Sequence, residues 1–200
     1  MNMKLTPEIQ KVRSTTYPIN PVILSRWSPR AFSAEDLSEE EIISLFEAAR
    51  YAPSSYNFQP WRFIYAKRGT NEFKNFVEFM MPMNQAWAKY ASLLVVVASS
   101  TLSKDGSPST THSFDTGMAC ENLAIEAAGR GLITHFMAGF DRKKAEKGLL
   151  LPSEYVAEVM IAIGKQGKIQ DLSKELQTRE KPSTRLELSE IMMEGIFKVQ

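Results

Sequence analysis

An α/β or α+β layer fold is the class this sequence predicts, and three observations predict it. Short β-branched or aromatic runs alternate along the chain with amphipathic helical stretches. One of those stretches is almost wholly apolar, so it needs cover from several sides. At 200 residues and 44% hydrophobic, the chain buries one sizeable core and lies at the upper end of single-domain size. Residues 1–200 are therefore expected to form one domain.

The elements follow in order. Thr6-Pro7 reads as an N-cap with proline at the first helical position, and Ile9 with Val12 sets a short apolar stripe; Asn20-Pro21 repeats the start signal. A longer helix begins at Ser38. There Glu41 completes a capping box, and Ile42, Leu45, Phe46 and Ala49 share a face until the chain nears Pro53. Residues 62–67 (RFIYAK) and 92–99 (SLLVVVAS) read as strands bracketing a helix around 72–79. Residues 115–130 carry Met118, Ala119, Asn122, Leu123, Ile125 and Ala127 with almost no polar face, which describes a helix buried on most sides and stopped at Gly131. A second copy of the chain would supply that cover, and the central helix of a monomer would show the same pattern. Residues 134–137 read as a short strand, Asp141 as the cap of another helix, and 156–163 (VAEVMIAI) as a further strand. Residues 165–184 are polar and charged and read as an irregular connection before a last amphipathic piece, 188–197.

The charge balance, 24 Lys plus Arg against 23 Asp plus Glu, gives no overall field favouring nucleic acid or an anionic membrane. The first residues lack the apolar core of a signal peptide, and the longest apolar run, 93–98, is far too short for a membrane span. A cytoplasmic protein is expected. A single cysteine, Cys120, and two histidines, His112 and His135, provide poorly for a disulfide or a metal site. Any redox chemistry would come from an organic cofactor.

Four clusters could carry chemistry. In Arg26-Trp27-Ser28-Pro29-Arg30, an extended backbone would turn Arg26, Ser28 and Arg30 to one side. Two guanidinium forks and a hydroxyl make a receptor for a phosphate dianion, although a solvated charged edge would read the same way. The stretch Pro53-Ser54-Ser55-Tyr56-Asn57-Phe58-Gln59-Pro60-Trp61 is dense in neutral hydrogen-bonding groups and aromatics, which suits an isoalloxazine ring and also an ordinary loop. Ala138-Gly139-Phe140-Asp141 places a glycine after a strand, where backbone approaches a ligand closely. Arg185 stands alone just before the closing amphipathic piece.

Taken as an ordered set from about Pro21 to the final helix, these segments resemble the nitroreductase family of flavoproteins. RWSPRAF is similar to its Arg-x-Ser-x-Arg opening and PSSYNFQPW to its Pro-Ser-Ser-x-Asn-x-Gln-Pro-Trp loop, while the stretch DTGMACENLAIEAAGRGLITHFMAGFD is similar to its central helix and following strand. The resemblance implies a central, mostly antiparallel sheet flanked by helices and a domain-exchanged homodimer, with residues 165–200 reaching over the partner. It implies FMN as cofactor and NADH or NADPH as reductant. Arg26, Ser28, Arg30 and Arg185 would hold the phosphate, with Trp27 alongside. Pro53, Ser54, Ser55 and Asn57 would meet the flavin of the partner subunit, with Gln59 nearby. Ala138 and Gly139 would lie against the ring, and Asn84 within residues 80–87 (MMPMNQAW) is a candidate ring contact. Tyr56 and Phe114 would line the substrate pocket. Two positions depart from the family pattern: Ser183 replaces a second basic residue two positions before Arg185, and Ala138 stands where an acidic residue is frequent.

The implied reaction is a ping-pong transfer of hydride from NAD(P)H through flavin to a small nitroaromatic, quinone or enone acceptor, with no catalytic side chain of the protein's own. Relatives specialised in dehalogenation, ene reduction or flavin breakdown, and a flavin-binding or sensing protein without turnover, are the competing readings. His112 and His135 are more simply structural than proton donors, and Cys120 is core packing.

Overall fold

A computed structural model describes residues 5–198. Residues 1–4 and 199–200, the two ends of the unit expected from the sequence, lie outside the described residues. Helix α1 (Pro7–Val12) starts where the Thr6 hydroxyl accepts the Ile9 N–H, and α2 (Pro21–Ser25) where the Asn20 side chain accepts the Val22 N–H. Proline costs nothing in either first turn, because an N–H there has no helical partner. Helix α3 (Glu39–Arg50) carries the expected capping box: Ser38 and Glu41 each accept the other's backbone N–H.

A single 3-10 turn, Ser55–Asn57, leads into strand β1 (Trp61–Lys67), and helices α4 (Asn71–Phe79) and α5 (Pro82–Ala88) lead on to β2 (Leu93–Ser100). Helix α6 (His112–Gly129), strand β3 (Leu132–Met137), helix α7 (Arg142–Gly148) and strand β4 (Tyr155–Lys165) complete the body. Two short helices, α8 (Lys174–Arg179) and α9 (Leu188–Ile191), lie in the tail. Gly131 follows α6 in the left-handed conformation (φ +75°), the backbone state in which a glycine ends a helix without strain.

The sheet has the order β1-β2-β4-β3, and every neighbouring pair is antiparallel, which settles the class as α+β. Strand β2 is buried from Leu93 to Ser99 because it has a strand on each side and helices over each face. Leu94 and Val96 enter a core with Phe73, Phe76, Phe79 and Trp87 from α4 and α5. Leu93, Val95 and Val97 enter a second core with Ile42 and Leu45 of α3 and Leu123 of α6. Burial on both faces is why this strand reads as a continuous apolar run rather than an alternating one. Among the described residues, no helix is long and apolar enough to cross a membrane.

Two expectations need correction, and a third is met in part. Within one chain helix α6 is covered along one face, which leaves the other for the cover expected from a second copy. Asp115, Thr116, Ala119, Cys120, Leu123, Ala124 and Ala127 are buried, whereas Ser113, Phe114, Gly117 and Glu121 are exposed along the opposite face. Residues 165–184 are not irregular throughout: a 3-10 turn, Ile169–Asp171, and α8 interrupt them, and Leu172 and Glu180 are buried. The closing piece 188–197 is helical only over Leu188–Ile191 and leaves Met192, Ile196 and Phe197 exposed. The sequence also gave no sign of α5, in which Asn84 lies.

The segment carrying Arg26 and Arg30 docks on the far end of β4. Ser33 donates to the Lys165 carbonyl at 3.0 Å, Gly167 donates to the Ala31 carbonyl at 2.8 Å, and Phe32 bridges Gln166. A Cβ at Gly167 would stand 2.5 Å from the Phe32 carbonyl carbon and oxygen and 2.9 Å from the Ser33 nitrogen, all backbone atoms with no rotamer to change. Gly167→Ala is therefore expected to cost about 2 kcal/mol of stability, within the usual range for overpacking. A urea midpoint equal to that of the wild type would show that the segment moves aside freely.

Candidate active site

Three hydrogen bonds fix the backbone at residues 29–31. The buried Glu180 carboxylate accepts the Arg30 N–H at 2.7 Å and the Ala31 N–H at 2.9 Å. His135 of β3 lies 2.9 Å through Nδ1 from the Pro29 carbonyl, and because a carbonyl only accepts, Nδ1 carries the hydrogen. Burial pushes the His135 imidazole down to about 4, with the Arg30 charge acting in the same direction, so the ring is neutral at pH 7. The Trp87 ring packs on His135 at 4.4 Å between centroids, and the Arg30 guanidinium lies 5.9 Å from the Trp87 ring. Arg30 is thus turned toward Trp87 and the tail, its Nη1 3.8 Å from Glu180 Oε2 and 3.4 Å from the Arg179 carbonyl. Trp27 and Ser28 are half-buried between the two arginines.

Arg26 looks the other way. Its Nε is 3.9 Å from Glu121 of α6, a loose pair with an exposed carboxylate, and its carbonyl accepts a hydrogen bond from Arg13. Arg185 is exposed and donates to the Ser183 hydroxyl at 2.9 Å. Arg26 and Arg185 both lie near enough to Arg13 for their charges to act with burial in lowering its pKa. Arg26 and Arg185 thus both lie close to Arg13, a residue that was not anticipated, whereas Arg30 is turned to Glu180 and does not share one side with Arg26 as an extended backbone would have it.

The loop between α3 and β1 is strained. Tyr56, Asn57 and Gln59 hold φ of 47°, 55° and 51°, a left-handed region that non-glycine residues occupy at a cost. Its own side chains lock it: the Ser54 hydroxyl accepts the Gln59 N–H at 3.0 Å, and the Gln59 amide donates to the Asn57 side chain at 3.0 Å. The buried carboxylate of Asp115, in the first turn of α6, accepts the Ser55 N–H at 3.1 Å and the Thr111 hydroxyl at 3.0 Å. Asp115 is a second residue that sequence reasoning passed over. Pro53, Tyr56 and Asn57 face outward, Tyr56 at 88% and Phe114 on the open side of α6 at 72% exposure.

A third group forms where α5 meets the loop after β3. Asn84 Nδ2 donates to the Gly139 carbonyl at 3.0 Å, and the Met81 N–H donates to the same oxygen at 3.0 Å. A Cβ at Gly139 would stand 2.8 Å from Asn84 Nδ2, so only glycine leaves this clasp undisturbed. Ala138 is exposed beside it. Asn84 and Gly139, each expected beside the ring, thus touch one another, and the Gly139 carbonyl is already saturated by two donors.

A serine, a histidine and a glutamate also meet. Ser99 Oγ donates to Glu158 at 2.6 Å and lies 2.7 Å from His112 Nδ1. With the hydroxyl proton committed to the carboxylate and Ser99 fully buried, this trio offers no nucleophile to a substrate. Burial raises the Cys120 thiol to about 12, which keeps it protonated and inert.

The geometry has counterparts among known proteins. The sequence profile of the nitroreductase family matches residues 23–81, the span from α2 through the strained loop to α4. Protein DrgA of Synechocystis sp. is 30% identical over 175 residues, covering 72% of this chain and 82% of that protein. The oxygen-insensitive NADPH nitroreductase of Helicobacter acinonychis is 40% identical over a shorter stretch, 62 residues, covering 31% of this chain and 29% of that protein. A crystal structure described as an oxidoreductase containing FMN superposes with a TM-score of 0.90 at 40% identity, covering 94% of this chain and 97% of that one. With the arginine-bearing opening, the strained Ser54–Gln59 loop and the antiparallel sheet all in their expected places, the chain belongs to the nitroreductase family.

Proposed function

We propose that this protein is an FMN-dependent oxidoreductase that takes reducing equivalents from NADH or NADPH and passes them to a small organic acceptor of nitroaromatic, quinone or enone type. The observation that carries the reading is that Arg26 and Arg185, from opposite ends of the chain, both lie close to Arg13, while the carboxylate paired with Arg26, that of Glu121, is loose and exposed. Such a group is short of negative charge, and a phosphate dianion matches it in both charge and hydrogen-bond geometry. The likeness to an FMN-containing oxidoreductase and to an NADPH nitroreductase supports the same cofactors.

Arg26, Ser28 and Arg185 would hold the phosphate, with Arg30 joining them on turning from Glu180. Trp27 would pack beside it. Ser54, Ser55, Asn57 and Gln59 would present neutral donors and acceptors to the ring system, their positions fixed in advance by strain that the Asp115 contact maintains. Gly139, Ala138 and Asn84 would leave room along the ring edge. When bound, FMN supplies hydride and electron transfer that none of these side chains provides. The protein's part is to bind, orient and exclude water, which agrees with the inert state of Cys120 and Ser99.

The loop and the arginines have no hydrogen bond or ion pair between them among the described residues. A homodimer resolves this, with the loop of one chain serving the flavin held by the arginines of the other. The open face of α6, with Phe114 and Gly117, and the exposed apolar tail residues Leu186, Met192, Ile196 and Phe197 would then be covered by the partner, and Tyr56 and Phe114 would shape the acceptor pocket.

The test is an absorbance spectrum of protein reconstituted with FMN, before and after anaerobic addition of NADH or NADPH. Stoichiometric flavin that bleaches is the expected result. Flavin that stays oxidised would point to a binding protein without turnover, and protein that takes up no flavin would overturn the proposal.

A further inference from the structure

Arg13 closes α1 and is only 9% exposed, yet among the described residues it takes part in no ion pair. Its guanidinium spends its bonds on backbone instead. Nε donates to the Ser183 carbonyl at 3.2 Å, and Nη1 donates to the carbonyls of Leu24 at 2.8 Å and Arg26 at 2.5 Å. Among the described residues, Nη2 is buried without a hydrogen-bond partner. Carbonyl oxygens satisfy N–H groups but cancel no net charge, so this arginine is a buried cation without a counter-ion, among the costliest things a fold can retain. The charges of Arg185 and Arg26 add to the cost.

If the only task were to fasten α1 to the tail, a neutral donor such as glutamine would do it without the charge. What the arrangement achieves is placement. Arg13 grips the carbonyl of Arg26 itself and a tail carbonyl two residues before Arg185, so one rigid fork sets the spacing of two cations that are 159 positions apart in sequence (185 − 26). We infer that Arg13 is a positioning residue of the phosphate site: it brings Arg26 and Arg185 together and adds its own charge beneath them, to be balanced by a doubly negative phosphate ester. This rests on the FMN reading given above.

The experiment compares two flavins that share a ring system and differ in the phosphate. Flavin-free full-length protein is titrated with FMN and with riboflavin, following fluorescence quenching, for wild type, Arg13→Gln, Arg13→Lys and the double variant Arg13→Gln/Ser183→Lys. Arg13→Gln is expected to weaken FMN about tenfold or more, the size of one charge-assisted contact, and to leave riboflavin unchanged. Arg13→Lys keeps the charge but not the fork and should fall between, which carries the test if the glutamine variant does not fold. Ser183 accepts from Arg185 through its hydroxyl and from Arg13 through its carbonyl, so Ser183→Lys sets a cation beside the same site and should restore part of the FMN affinity. Equal weakening of both flavins would reduce Arg13 to a scaffold residue and overturn the inference, as would unchanged FMN affinity in the variants. Wild-type protein that quenches neither flavin would overturn the functional proposal and this inference together.

Discussion

Glu180→Ala is expected to destabilise the protein by about 3–5 kcal/mol, the range for removing one partner from a buried charge pair. The side chain is 3% exposed, and its carboxylate holds three groups at once: the backbone N–H of Arg30, that of Ala31, and, more loosely, the Arg30 guanidinium. Its loss leaves two N–H groups without acceptors and leaves Arg30, itself pushed below its ordinary pKa by burial, without the one charge that opposes that shift. Oε2 makes no hydrogen bond, its distance of 3.8 Å to Arg30 being too long, so most of the effect comes through Oε1. Glu180→Gln keeps an acceptor oxygen and should lose less than half as much. Urea unfolding gives the number. Stability of the alanine variant within about 1 kcal/mol of wild type, the level of an exposed ion pair, would mean that the tail is not docked on its own chain at this point.

That contact also explains where the sequence stopped being legible. Elements specified by local chemistry could be read directly: the caps at Thr6, Asn20, Ser38 and Asp141 and the glycine stop at 131 all lie where the pattern put them. Strand β2 could be read because burial on two faces leaves no polar position to interrupt it. The tail could not. Residues 165–184 are charged because most of them face water, and those buried in docking, Leu172, Glu180 and Pro182, carry no periodic signal. Helix α5 was hidden for a related reason, since Trp87 and Ala88 bury a short stretch whose remaining residues look like a loop.

The candidate site divides in the same way. Ser54, Ser55, Asn57 and Gln59 announce themselves as a cluster because they are neighbours in sequence. Arg13, Asp115, Glu180 and His135 act through backbone atoms of distant segments, and a contact that uses another residue's carbonyl or N–H leaves no trace in that residue's identity.

His135 gives the protein an acid limit of its own. In the folded chain its imidazole is held at about 4 by burial and by Arg30, against its ordinary value of 6.5 once the chain unfolds. The unfolded state therefore binds this proton first as the pH falls, and folding is penalised progressively below about 6.5, with the full penalty reached near 4. Over that window the difference corresponds to about 3 kcal/mol, at 1.36 kcal/mol for each pH unit of displacement. Protonation also sets a cation beneath Arg30 and against Trp87, so the segment holding Arg26 and Arg30 should be the first to loosen. His135→Gln provides the control, because its amide reaches toward the Pro29 carbonyl as a donor and does not titrate. Urea midpoints measured from pH 7 to pH 4 should fall more steeply for wild type than for the variant, since carboxylates elsewhere contribute equally to both. Parallel profiles would mean that the ring is hydrated or already charged, and the neutral imidazole would then no longer account for how Pro29 is held.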